Sequence, residues 1–375
     1  MKHLRVHSMQ GFSIIELMIA MLLSLILLAG VGQIYVSSKQ SYRVTEEIGR
    51  MQENSRFAMD VLTKEIRMAG FSPCPPTDEV AITLNAGLPA DAYDFGNGAI
   101  IGYEAGGTFA SSFPATGTGA GARVADSDGF MVKRGGDTTY SIESHVETSA
   151  QFFVVDSTGL EDGDVLMVCD ANNTAIFQTS NVTHSSGNLV HPSGSAGMTP
   201  GNCSKGLGFP TDCSSANGNG YTYEDDAVIV KFISTIYYVG VSSDGTGRSL
   251  YRQRLLENTG ATLGAGAAIE LIDGIETLQL LYALDTDGDT QAERYVSADN
   301  VTAAGSCGAT PCTWNNVIGV RLGLLMATQN QVASSTDTKS YNIAGNVFDD
   351  TDHGNDKRLR TVYTSTVKIR NRGAL

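Results

Sequence analysis

From Leu17 to Ser38 the chain runs for 22 residues without a formal charge. At about 1.5 Å per residue, a helix of that length spans roughly 33 Å, enough to cross the hydrocarbon core of a bilayer. One carboxylate, Glu16, stands at the start of the run. A short leader carrying Lys2 and Arg5 precedes it and breaks at Gly11. Four readings compete. A plain signal anchor is the simplest. A secretory signal needs an apolar stretch of roughly 7–15 residues followed by a small-residue cleavage site; this run is longer, and no such site follows it. A buried core helix fits poorly with so long an uncharged segment near the N-terminus. In the fourth reading the leader, residues 1–11, is removed between Gly11 and Phe12 and the helix is kept.

Glu16 decides between them. A carboxylate at membrane depth is costly and is rarely placed there without a role. Counted from Phe12, Glu16 is the fifth residue of the shortened chain. Cations flank the run on both sides (Lys2 and Arg5 before, Lys39, Arg43 and Arg50 after), so their distribution gives no orientation.

The pattern Gly11-Phe12-Ser13-Ile14-Ile15-Glu16-Leu17 resembles the type IV prepilin signature. The resemblance implies that a prepilin peptidase cuts between Gly11 and Phe12 and that the new amino terminus, on Phe12, is methylated. It also implies that Glu16 pairs with the terminal amine of a neighbouring subunit. Opposite charges in a medium of low dielectric constant do seek each other.

Past the membrane run the helix has no reason to stop. The first proline is Pro73, and Gly70 offers a C-cap. Val44, Ile48, Met51, Ser55, Ala58, Leu62, Glu65 and Ala69 alternate spacings of four and three, which makes a narrow, mostly apolar stripe. Glu46–Arg50 and Asp60–Lys64 are acid-first pairs four apart, suited to an exposed face. Residues 12–70 are therefore expected to form one helix, crossing the membrane over about residues 15–38 and packing its second half on a head.

The segment Arg50 to Phe71 is similar to the end of the N-terminal helix in PilW-like minor pilins of Gram-negative bacteria. The likeness resumes at Leu271–Glu276, at Leu281–Asp289 and at the ending Arg360–Arg372; between about residues 75 and 265 it is weak.

Composition narrows the rest. The formal charge is −15, from 25 basic and 40 acidic residues; without Lys2 and Arg5 it is −17. That argues against general nucleic-acid binding, which needs a basic surface. Low charged content, 17%, and 42 glycines suit an extracytoplasmic β-rich head with long loops. Six cysteines, Cys74, Cys169, Cys203, Cys213, Cys307 and Cys312, all follow the membrane run. No C-x-x-C pair occurs, so disulfides in an oxidising periplasm are preferred to zinc or redox chemistry. Six cysteines allow 15 pairings. Proximity favours Cys307–Cys312 and Cys203–Cys213, leaving Cys74–Cys169; free buried thiols stay open as the alternative.

Beyond Phe71 the chain reads as strands and loops. Short runs rich in β-branched or aromatic residues fall at 129–134, 151–155, 164–169 and 175–179, with a longer one at 227–239. Residues 318–326 alternate as in a half-buried strand, and Tyr363, Val367 and Ile369 suggest another. Gly/Ala/Ser/Thr-rich stretches at 105–122 and 180–220 read as long surface loops or flexible insertions. The expected fold is α+β and type IV pilin-like: an antiparallel sheet laid over the second half of the long helix. A loop-rich β lobe would cover 71–220 and a sheet head with an Asp-rich loop 221–375.

That loop holds Asp285, Asp287, Asp289 and Glu293 at close spacing around Gly288. Hard carboxylate oxygens on a short loop suit calcium, although the EF-hand pattern is not met; a hairpin turn using the same side chains for local hydrogen bonds is the bland alternative. A second acidic cluster, Asp349, Asp350, Asp352 and Asp356, reads as a solvated loop. His3 and His7 leave with the leader, and His145, His184, His191 and His353 are scattered without metal-site spacing. No nucleophile elbow, P-loop or dinucleotide fingerprint is present. Trp314 reads as core.

Two classes of function remain. In the first, a minor pilin primes assembly with other minor pilins and the major pilin. It would be processed by prepilin peptidase and held at an inner-membrane assembly platform with its head in the periplasm. It would then enter a pilus serving twitching, adhesion or DNA uptake. A close variant is a J-type minor pseudopilin of type II secretion. In the second, an adhesin borrows a pilin anchor and presents the 105–220 loops. A tethered hydrolase has no residues to support it, so the chain is not expected to be an enzyme.

Overall fold

The computed structural model describes residues 11–75, 79–87, 89–258 and 262–371. The expected leader ahead of Gly11 and the last cation, Arg372, lie outside the described residues.

Helix α1 runs Ile14–Met68, 55 residues or about 82 Å, within two residues of each expected end. Ser13 starts it: its hydroxyl accepts from the Ile15 N–H, while the Ser13 N–H donates to Glu16 Oε2 at 3.0 Å. This reciprocal cap satisfies two donors the helix cannot use itself. Gly70 follows the end with φ +72°, a left-handed turn that glycine makes without strain.

The buried face of α1 is Glu47, Met51, Ser55, Ala58, Leu62 and Ile66, continuing to Ala69. The expected stripe holds from Met51 to Leu62, but its ends shift from Ile48 to Glu47 and from Glu65 to Ile66. The spacing is that of a straight helix on one globular partner; a heptad seam would demand supercoiling around a second helix. Of the two expected helix-surface pairs, Glu46–Arg50 forms at 2.9 Å. Asp60 and Lys64 make no ion pair among the described residues.

The strands, in chain order, begin with β1 (Val80–Ile82), β2 (Ile100–Tyr103), β3 (Gly129–Val146), β4 (Gln151–Val154), β5 (Val165–Cys169) and β6 (Thr174–Gln178). Next come β7 (Asn181–Thr183), β8 (Asn188–Val190), β9 (Val228–Val241), β10 (Arg248–Arg254), β11 (Glu257–Asn258), β12 (Leu263–Gly264) and β13 (Ile269–Asp273). The last are β14 (Ile275–Leu284), β15 (Arg294–Val296), β16 (Val317–Ala327), β17 (Tyr341–Ile343), β18 (Asn346–Phe348) and β19 (Arg360–Lys368).

Two main sheets result. The larger has the order β1-β6-β5-β9-β3-β4-β8-β7, with β10 on β9, β13 on β10 and β2 on β3. Its ladders are antiparallel except for the parallel pair β1–β6, so it is mixed. The smaller, β15-β14-β16-β19, is antiparallel. The α+β architecture is thus the expected one.

Residue 220 marks no break in pairing. Strand β9, beyond it, lies between β5 and β3, from before it. The change of sheet comes instead at Gly274, whose φ is +80°. One continuous core joins α1 to both sheets, from Leu62 and Ile66 through Ile236 and Tyr237 to Leu278, Leu322 and Val367.

Strand β16 was expected to be half-buried, yet all its residues but Arg321 are buried. α1 covers one face, and the β17–β18 hairpin covers the other through Leu325, Ile343 and Phe348. Gly323 makes this possible: a Cβ there would stand 2.7 Å from the Ile343 side chain and 3.1 Å from the Ala344 nitrogen. The 180–220 stretch also differs from a free insertion. It contributes β7 and β8, and Gly201, Asn202, Ser204, Gly206 and Leu207 are buried in it. Buried hydrogen bonds explain this, Asn202 Nδ2 donating to Gln178 O at 2.7 Å and Gln178 Oε1 accepting from the Gly201 N–H at 2.8 Å.

Candidate functional site: the exposed rod and its carboxylate

Among the described residues the apolar half of α1 has no partner in the head. Every residue from Gly11 to Arg43 is exposed, including Ile14 at 79% and Leu28 at 68%. The first tie to the head is Gln40, whose Nε2 donates to Val332 O at 2.9 Å. Glu47 follows, accepting from Asn330 Nδ2 at 2.7 Å, then Asn54, which donates to Asp273 Oδ1 at 2.5 Å. Residues 14–39 therefore form a free rod about 39 Å long. An all-round apolar helix of this kind is stable only in lipid or against other helices.

Gly11 and Phe12 lie outside regular secondary structure just before the rod, and Phe12 is 90% exposed. Glu16 is exposed one turn further on. Its carboxylate is bonded to the Ser13 backbone, one residue from the Phe12 nitrogen. The geometry leaves the Gly11–Phe12 bond accessible and the carboxylate at the mouth of the rod.

The Asp-rich stretch forms the turn between β14 and β15. Ligand atoms of Asp285, Asp287, Asp289 and Glu293 lie within 4.8 Å of one another. Hard oxygen donors so gathered would suit calcium. The same oxygens also serve the turn. Asp285 accepts from the Gly288 and Thr290 N–H groups at 2.6 and 2.9 Å, and Glu293 from Thr286 N–H at 2.6 Å.

The cysteines pair as Cys74–Cys169, Cys203–Cys213 and Cys307–Cys312. The first ties the segment leaving α1 to the end of β5; the other two close short loops. Trp314, after the third, packs edge-on against Tyr282 with ring centroids 5.0 Å apart.

Two clusters were not visible in the linear chain. Arg360, fully buried, binds Glu276 at 2.6 Å, Asp356 at 2.8 Å and Asp337 at 3.2 Å, while Arg358 binds Glu276 at 2.6 Å. The stretches around Glu276 and Arg360 that look family-like thus meet in one ion network. Burial opposes ionisation of Asp356, but hydrogen bonds from Arg360 and Arg358 hold its carboxyl down at about 2. The expected solvated loop is corrected accordingly: Asp356 is a network member, and Asp349 caps a short helix by accepting from the Thr351 N–H.

The second cluster is aromatic. His145 and His191 lie 5.5 Å apart around Phe152, beside Phe177 and Tyr223. Burial lowers His145 to about 4. Burial, then the His145 charge, lowers His191 to about 3.

Residues 236–371 match the family described as Type IV Pilus-assembly protein W. Residues 7–32 match the prokaryotic N-terminal methylation motif, which takes in Gly11, Phe12, Glu16 and most of the rod. No curated protein matches the chain. A type IV-like pilin from Thermus thermophilus is similar at 13% identity over 57% of this chain and 86% of that chain, with a TM-score of 0.21. A superposition that loose carries no weight, and the fold rests on the elements above. The chain is PilW-like over residues 236–371, behind a prepilin-type methylation motif at its start.

Proposed function

We propose that this protein is a minor pilin, non-enzymatic, held in the inner membrane by its rod with the head in the periplasm, then built into a type IV pilus. Prepilin peptidase cuts between Gly11 and Phe12, and Phe12 is methylated. Glu16 exchanges its local Ser13 contact for the amine of a neighbouring subunit. Other minor pilins, the major pilin and an inner-membrane assembly platform are its partners in initiation. One observation carries this reading: a free apolar rod with a carboxylate at its mouth continues without a break into a helix locked to a folded head. A plain anchor needs no such continuity. The same reading gives the Asp285–Glu293 turn a calcium ion, supported by its four converging carboxylates.

Intact mass analysis of the protein from its own membranes tests the processing. The expected N-terminus is methylated Phe12, and Gly11→Val should accumulate the uncut chain. An uncut wild-type chain, or an end created beyond the rod, overturns the proposal.

A further inference from the structure

α1 and β19 meet at the end of α1 farthest from its apolar half, and there a chain of net charge −15 turns cationic. The Arg370 N–H donates to Arg67 O at 3.0 Å, bringing the end of β19 onto the last turn of the helix. Lys64 lies one turn before Arg67, and Lys368 two residues before Arg370. All four side chains are exposed, and none has an ion-pair partner among the described residues. The neighbouring carboxylate of Glu65 is taken by Arg134 at 3.7 Å. From Thr361 to Arg370 the sequence holds the cations Lys368 and Arg370 and no acid.

β19 is also an edge. Among the described residues it pairs with β16 alone, over nine residues. An unpaired edge is a template for another strand, and cations along it repel wrong partners. Two copies of this chain paired in parallel through this edge would bring like charge to like charge there. A strand of opposite sign would gain both the ladder and the charge complementarity.

We propose that the open edge of β19, with its cationic end at Lys64, Arg67, Lys368 and Arg370, is a docking surface for an extended acidic segment of another protein, taken up by strand addition. The surface stands whether or not the chain enters a filament.

The test uses the full chain in detergent micelles and a fluorescent synthetic peptide alternating Glu with Val and Thr. Binding is read by anisotropy and located by amide hydrogen exchange. The acidic peptide should bind, its Lys-substituted counterpart should not, and binding should weaken as salt rises. Exchange should slow in residues 361–368. Lys368→Glu with Arg370→Glu should weaken binding roughly tenfold, the scale of a complementary charge pair. Lys64→Glu with Arg67→Glu should do the same from the helix side, in case the strand variant fails to fold. Absence of binding, protection elsewhere, insensitivity to both variants, self-association through β19, or tighter binding of a duplex DNA probe to the same residues would overturn the proposal.

Discussion

The two halves of α1 are one unbroken helix in two different solvents. Before Gln40 the side chains are mostly apolar on every face, and none is buried among the described residues. After it a single stripe, from Glu47 to Ile66, is buried against the sheets while Glu53, Arg56 and Lys64 stay exposed. Burial in the second half is supplied by the chain itself. In the first half it must come from lipid or from other molecules. Stability and assembly should therefore separate along one helix, and substitutions can challenge that separation.

The largest effect belongs to Glu16→Ala. The chain should still be cut, but its amount in sheared filaments should fall by about 150-fold or more, in line with the roughly 3–5 kcal/mol lost when one partner of a buried ion pair is removed. Head melting should not change. Immunoblots of filament and membrane fractions check this, and normal incorporation would break the proposed division.

Next comes Leu62→Ala, which empties a fully buried site under both sheets. It should destabilise the head by about 2–5 kcal/mol, whereas Leu22→Ala on the rod should leave head unfolding unchanged. Denaturant titration of the two variants in micelles compares them directly; equal losses would show that the rod, too, packs on the head.

Acid should act on the head alone. His145 and His191 are held neutral when folded, at about 4 and about 3, below the ordinary histidine value near 6.5. The unfolded chain therefore binds more protons below that value. Their contribution to stability is whole above pH ~6.5 and falls away as pH drops toward 4. NMR titration should show both imidazoles uncharged at pH 5.5, and melting temperatures should already be declining as pH falls below about 6.5. Protonation near 6.5 would mean that water reaches the cluster.

The smallest effect is expected from calcium. Isothermal titration should show one binding event, lost in Asp287→Ala with Asp289→Ala, with a modest rise in head melting temperature. No heat and no thermal shift would leave these carboxylates as turn caps only.

Much of this was legible in the residues. The rod and its continuation to Gly70 follow from local signals: an uncharged run and the absence of proline. The central strands β5, β6, β9 and β16 were marked by β-branched runs. The short strands β1, β2, β7 and β8 were hidden because their pairing, not their composition, makes them strands. The expected lobe boundary near residue 220 has no counterpart in the strand pairing, since β9 joins partners from before it. The Arg360 network was illegible because Glu276 lies 84 residues away. The two inner histidines looked scattered because only strand register brings His145 and His191 to one aromatic cluster.

The joint between helix and head has a mechanical consequence. At the last turn of α1, Gly70 donates to Lys133 O at 3.0 Å, Gly135 to Phe71 O at 2.6 Å and Arg370 to Arg67 O at 3.0 Å, while Cys74 is tethered to Cys169. Tension applied along the rod thus reaches β3, β5 and β19 together instead of prising at a single thread. Peeling the head away would require several strands to yield at once, with a covalent stop four residues past the hinge glycine.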